Sequence, residues 1–77
     1  MDTLDTLHKR MRELREDNDF SQLKIAEYLG VAQTTYSQYE RDVRPIPVEY
    51  VIALCKLYNV SADYMLGLSN SKQRHIE

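Results

Sequence analysis

The stretch SQLKIAEYLGVAQTTYSQYE, residues 21–40, contains two short helical patterns separated by a glycine. In the first pattern, apolar residues recur at helical spacing, and Ser21 is a good N-cap residue for it. Gly30 suits the left-handed backbone conformation in which many helices end. The stretch therefore predicts a helix over 22–29, a tight turn, and a second helix over about 33–41.

The second of these helices has an unusual composition, because short, uncharged, hydrogen-bonding side chains fill it. Within six positions it holds Gln33, Thr34, Thr35, Ser37 and Gln38. A glutamine can pair bidentately with adenine, and Thr and Ser can bond to a base or a phosphate. In helix-turn-helix proteins the second helix of such a pair enters the DNA major groove. The pattern therefore favours a recognition helix over its alternative, an ordinary solvated helix face.

Three further helices are predicted outside this stretch, over about 4–17, 47–58 and 62–66. In the first, apolar residues share one face, and in the fourth we expect a buried side as well. The two sets are Leu4, Leu7, Met11 and Leu14, and then Val48, Val51, Leu54, Cys55 and Tyr58. The prolines of the intervening segment RDVRPIP prevent a continuous helix. The sequence thus predicts an all-α, five-helix domain over 1–68 and a mobile C-terminal tail over 69–77.

Composition narrows the classes of protein to consider. The 77 residues are 43% hydrophobic and 29% charged, which is typical of one small soluble domain. No signal peptide is evident, and no apolar run approaches the ~20 residues of a membrane span, so we expect a cytoplasmic protein. The single cysteine, Cys55, is expected to be a buried thiol. His8 and His75 lack companion ligands, and no catalytic constellation is evident, so we expect no metal, no cofactor and no enzyme activity.

The charge balance bears on a DNA partner. Ten Lys and Arg stand against twelve Asp and Glu, for a net charge of −2. Bulk charge therefore argues mildly against nucleic acid, and the prediction depends on where the charges lie. Arg41 and Arg44 follow the recognition helix, where they could contact phosphates or remain solvated loop charges.

Several motifs occur together in the order of a known family. They are SQxxIAEYLGV, a Tyr-Glu pair after the recognition helix, a proline-led fourth helix and NVSADYMLG. The stretch from Phe20 to Leu68, extended by MRELRE in the first helix, resembles the Cro/cI (XRE) family of helix-turn-helix transcriptional regulators. The resemblance implies a lambda-repressor-like DNA-binding domain.

The family resemblance also implies roles for particular residues. Gln22 would grip a phosphate and brace Gln33, which would read an adenine. Arg15 and Glu40 would form a partly buried salt bridge between helix one and the end of helix three. This chain departs from the family at Arg41-Asp42, where a glycine is common, although Asp tolerates a left-handed conformation.

These expectations lead to one functional prediction and one alternative. We expect a sequence-specific regulator, a bacterial or phage repressor, that binds a two-fold symmetric double-stranded DNA operator as a homodimer. Tyr64, Met65 and Leu68 are the residues predicted for the dimer surface. The alternative is a protein-interaction or antitoxin-like module that uses the helix-turn-helix as a scaffold.

Overall fold

The computed structural model describes residues 3–72 of the protein. The helices are α1 (Thr3–Asp17), α2 (Gln22–Leu29), α3 (Gln33–Glu40), α4 (Val48–Tyr58) and α5 (Ala62–Met65). Over the described range there are five helices and no strand, so the prediction of an all-α fold is confirmed. None of the helices within 3–72 has the length and apolar character needed to cross a bilayer.

Local capping signals set the helix ends that the sequence predicted best. The Ser21 hydroxyl accepts a hydrogen bond from the Lys24 amide at 3.0 Å and caps α2. Gly30 has a φ of 75°, and its N–H bonds to carbonyls of the last turn of α2. The Ser61 hydroxyl caps α5 in the same way, accepting from the Tyr64 amide at 3.0 Å.

Other helix ends differ slightly from the prediction. α1 begins one residue earlier, whereas α3 ends at Glu40 and α5 ends at Met65, each one residue earlier than expected. Pro47 precedes α4 as its N-cap and does not join its first turn. The proline ring fixes φ, here −60°, but leaves ψ free, and ψ is extended at 145°.

One hydrophobic core joins all five helices. Its fully buried large side chains are Met11, Ile25, Tyr36, Leu54 and Met65. The core also holds the Cys55 thiol, as predicted, and the residue is 7% exposed. Tyr36 and Tyr39, the two tyrosines of α3, are also buried in it. The core therefore anchors α3 by aromatic rings on one side and leaves its polar side outward.

Two predictions about burial are wrong. Val48 was expected to face the core, but it is 72% exposed, because it opens α4 and the first turn extends beyond the core. Tyr64 and Met65 were expected to form a dimer surface, but both are buried in the monomer. The single turn of α5 packs its apolar residues against α1 and α4, which leaves only Leu68 of the three exposed.

The residues after α5 turn back onto the domain. Arg10 of α1 donates to the carbonyl of Ser69 at 2.7 Å, to Asn70 Oδ1 at 3.1 Å, and to the carbonyl of Tyr64. Its guanidinium also lies 4.0 Å from the centre of the Tyr64 ring. The Ser61 amide donates to the carbonyl of Lys72 at 3.0 Å. Within the predicted tail, Ser69 and Asn70 thus contact α1, and Lys72 contacts Ser61, the N-cap residue of α5.

Some predictions fall outside the part of the chain that the structure describes. They concern residues 73–77 of the predicted tail, His75 among them, and the inward side chain of Leu4. These stay predictions.

Candidate DNA-binding surface

The helix pair α2–α3 rests on close packing at its turn. Ala26 is fully buried, and its carbonyl accepts from the Val31 amide at 3.0 Å, just after the turn. A small side chain at this position lets the two helices approach closely. The core then buries Tyr36 and Tyr39 on one side of α3, which directs the opposite side outward.

A groove of about 410 Å³ lies on this outward side. Its lining residues are Gln22, Gln33, Thr34, Ser37, Gln38 and Arg41. The fold thus brings together six of the eight residues that the sequence singled out for DNA contact. Thr35 and Arg44 are not part of the lining, and Arg44 is exposed in the loop that follows α3.

The N-terminus of α3 is open. Its N-cap residue, Ala32, offers no side-chain hydrogen bond, and both Ala32 and Gln33 are exposed. The first amides of a helix have no intrahelical partner, and the helix dipole places partial positive charge there. These amides can therefore bind an anion such as a phosphate.

Glu40, the last residue of α3, lies at the centre of a hydrogen-bond network. Its side chain is only 3% exposed. Oε2 accepts from Arg15 Nε at 2.6 Å and from the Tyr36 hydroxyl at 2.6 Å. Oε1 accepts from Arg15 Nη2 at 3.2 Å and from Gln22 Nε2 at 3.2 Å. Arg15 also donates to the carbonyl of Phe20 at 3.0 Å, so the network joins α1, α3 and the start of α2.

The network keeps Glu40 ionised. Burial acts to raise the pKa of Glu40, but hydrogen bonds from Arg15, Tyr36 and Gln22 outweigh it and hold that pKa below the usual 4.5. Burial, followed by the hydrogen bond to Glu40, raises the pKa of the Tyr36 hydroxyl. The hydroxyl is therefore a permanent donor, and the carboxylate is a permanent acceptor at neutral pH.

The turn after α3 contains a left-handed aspartate. Asp42, which stands where the family often has glycine, has a φ of 59°. Its Oδ1 lies 3.0 Å from Nε2 of His8, a residue of α1 whose side chain is 8% exposed. The contact connects α1 to the turn that follows α3.

Sequence reasoning missed two buried residues that hold the end of α3 in place, His8 through Asp42 and Tyr36 through Glu40. His8 lies one residue after Leu7 and three before Met11, so its position beside the apolar face of α1 was a usable signal. The hydroxyl of Tyr36 had no such signal, because a core tyrosine and a network donor look alike in sequence.

For metal binding, no group of three or more His, Cys, Asp or Glu residues is suitably placed within the described residues.

Comparison with known proteins places the chain among helix-turn-helix proteins. A family model described as helix-turn-helix (HTH_3) matches residues 11–65. The HTH-type transcriptional regulator ImmR of Bacillus subtilis is 40% identical over 62 residues, which are 80% of this chain and 49% of ImmR. The uncharacterized HTH-type transcriptional regulator YobD of the same organism is 33% identical over 90% of this chain and 62% of YobD.

A phage protein also matches. The cryptic phage CTXphi transcriptional repressor RstR of Vibrio cholerae is 35% identical over 66% of this chain and 46% of RstR. No solved structure gives a significant match. The chain spans about half to six-tenths of the length of these three relatives. By its family match and its relatives, the chain belongs to the Cro/cI (XRE) family of helix-turn-helix transcriptional regulators.

Proposed function

We propose that this protein is a sequence-specific double-stranded DNA-binding regulator of transcription, acting as a repressor, with α3 in the major groove. The observation that carries the proposal is the groove on α3, where uncharged hydrogen-bonding side chains and one arginine line a single surface. Side chains of this kind match the donor and acceptor pattern of base edges. The names of RstR, a transcriptional repressor, and ImmR, a transcriptional regulator, support this function.

The proposed roles divide between reading and anchoring. Gln33, Thr34, Ser37 and Gln38 would read base edges, and Thr35, which does not line the groove, would make a further DNA contact. Arg41, Arg44 and the open N-terminus of α3 would bind phosphates, and Gln22 would grip a phosphate and brace Gln33. Arg41 Nε already lies 3.3 Å from the Ser37 hydroxyl, so the anchor and a reader are adjacent.

We further propose a homodimer on a two-fold symmetric operator, a non-enzymatic role and a cytoplasmic location. One eight-residue recognition helix reads few base pairs, and a symmetric pair doubles the readout. With Tyr64 and Met65 buried, Leu68, which is 68% exposed, is the remaining candidate for a dimer contact among the three.

The alternative, a protein-interaction or antitoxin-like module, would require a different charge on the same surface. An acidic groove would favour a protein partner, whereas a neutral or positive one favours DNA. The lining of the groove contains Arg41 and no acidic residue. DNA binding is therefore the better-supported function.

The test is the double substitution Gln33→Ala, Gln38→Ala. We expect the helical fold to persist, because both side chains lie outside the core, and specific affinity to fall by about 1–3 kcal/mol for each lost base contact. The measurement is circular dichroism together with binding to a site selected from random DNA. Unchanged operator affinity in a folded variant would show that these two residues are not readers.

A further inference from the structure

The contacts of Glu40 extend beyond its salt bridge. Arg15 binds the carboxylate through Nε and Nη2, which would suffice to hold the charge. Each oxygen accepts one more hydrogen bond, from Tyr36 on Oε2 and from Gln22 on Oε1. The second of these partners matters most, since Gln22 opens α2 and also lines the groove on α3.

The chemistry of Glu40 fixes which end of the Gln22 amide it can bind. An ionised carboxylate accepts hydrogen bonds and cannot donate one. Gln22 must therefore turn its Nε2 toward Glu40, at the observed 3.2 Å. An isolated glutamine amide can flip and exchange its donor and its acceptor, but one bound to a buried carboxylate cannot do so without losing the bond.

We propose, on the basis of the DNA-binding function above, that Glu40 is a positioning residue for sequence recognition. It orients Gln22 so that the carbonyl oxygen Oε1 is the atom turned to the groove. Gln22 then offers an acceptor, suited to a base amino group or to the amide of Gln33. The Tyr36 hydroxyl assists by donating a hydrogen bond to Oε2, the carboxylate oxygen that Gln22 does not bind.

The buried position of Glu40 separates it from the DNA. Its side chain is 3% exposed, so it reaches no base or phosphate itself and acts through Gln22. Arg15, at 13% exposed, is likewise shielded and neutralises the carboxylate in the protein interior. Sequence preference would thus depend on a residue that makes no contact with the DNA.

The first test examines the free protein. In an NMR relaxation measurement, the side-chain NH2 group of Gln22 should be more rigid than that of exposed Gln33. The difference in rigidity should disappear in Glu40→Gln. It should persist in the control variant Val60→Ala. Val60 is 3% exposed and lies between α4 and α5, so this substitution destabilises the core away from the network. A mobile Gln22 amide in the wild type would overturn the proposal.

The second test couples the two residues on DNA. The ratio of affinities for the selected site and for scrambled DNA is compared among the wild type, Gln22→Ala, Glu40→Gln, the double variant and Val60→Ala. All are measured at a temperature at which circular dichroism shows each to be folded. We expect Glu40→Gln to lower the ratio about tenfold in the wild-type background and very little in the Gln22→Ala background. Val60→Ala should leave the ratio unchanged.

Equal losses in both backgrounds, or an unchanged ratio in Glu40→Gln, would overturn the positioning role and leave the proposed function intact. A wild type that selects no DNA sequence would instead overturn both. Tyr36→Phe keeps the Arg15–Glu40 pair, so it separates orientation from stability. It should give a smaller loss of the ratio in the same direction, and no loss at all would contradict the part assigned to the hydroxyl.

Discussion

At the scale of single residues, Glu40 combines a cost of burial with complete hydrogen bonding. A buried carboxylate without partners would be strongly destabilising. Here the hydrogen bonds from the Arg15 guanidinium, the Tyr36 hydroxyl and the Gln22 amide offset the cost of burying the Glu40 carboxylate. Removing the negative charge therefore affects the fold more than removing an exposed one.

This arrangement predicts a specific pH dependence. The pKa of Glu40 lies below 4.5 in the folded protein, so the unfolded chain takes up the proton first as the pH falls. The stability due to Glu40 should be complete above about pH 4.5 and should decline as the pH falls through the folded pKa. Glu40→Gln should cost about 3 kcal/mol at pH 7 and should flatten the decline below pH 4.5.

The measurement is urea unfolding from pH 7 to pH 3. Glu27→Gln, which removes an exposed carboxylate from α2, is the control and should follow the wild-type curve. If the Glu40→Gln curve ran parallel to the wild type at all pH values, Glu40 would not be the group that titrates.

At the scale of helices, Gly30 follows α2 and Gly67 follows α5, and the space around the two glycines differs. Gly30 has a φ of 75°, and a Cβ atom built on it would meet nothing within 4 Å. Gly67 has a φ of 85°, and its Cβ would lie 2.7 Å from Cγ2 of Thr6 on α1. Gly30 therefore serves backbone conformation alone, whereas Gly67 also permits close packing.

The pair gives a matched prediction. Gly30→Ala should destabilise the domain by about 1 kcal/mol, the cost of a left-handed non-glycine residue. Gly67→Ala should cost about 1–3 kcal/mol more, since the methyl group overlaps Thr6. Thermal unfolding of the two variants measures the difference. Equal melting temperatures would indicate that the end of α5 does not rest on Thr6 in solution.

The helices also show what the sequence could predict and what it could not. Ser21 and Gly30 act on their own neighbours in the chain, so the ends of α2 could be predicted from local signals. Burial at Val48 and Met65 depends on where whole helices lie. Periodicity gave the wrong answer for Val48, and Met65, expected at a dimer surface, is buried in the core. Likewise, the groove residues could be predicted from composition and resemblance. The bond from Gln22 to Glu40 could not, because it depends on side-chain geometry between two helices.

At the scale of the whole molecule, a net charge of −2 limits how DNA can be bound. Long-range attraction is weak, so affinity must come from a few local phosphate contacts. Arg41, Arg44 and the open N-terminus of α3 are the proposed groups. The salt dependence of binding should therefore be modest.

Salt titration separates anchors from readers. For each phosphate neutralised, the slope of log affinity against log salt concentration is about −0.9. Arg44→Ala should flatten the slope by about one unit per monomer and weaken all sequences alike. Thr34→Ala should leave the slope unchanged and alter the preferred sequence. The assignments would be reversed if Arg44→Ala changed the preference and Thr34→Ala changed only the slope.

The hydrogen bonds from Arg10 to Ser69 and Asn70 have a consequence for where the domain can be truncated. A truncation after Leu68 would retain every proposed DNA contact, yet it would take away two of the acceptors of Arg10 and the carbonyl that Ser61 binds at Lys72. We therefore expect this truncation to destabilise the domain while it leaves the recognition surface in place. A fusion partner joined after Lys72 would be attached next to α1 and α5. Its orientation would therefore be set by the contacts that Ser69, Asn70 and Lys72 make there.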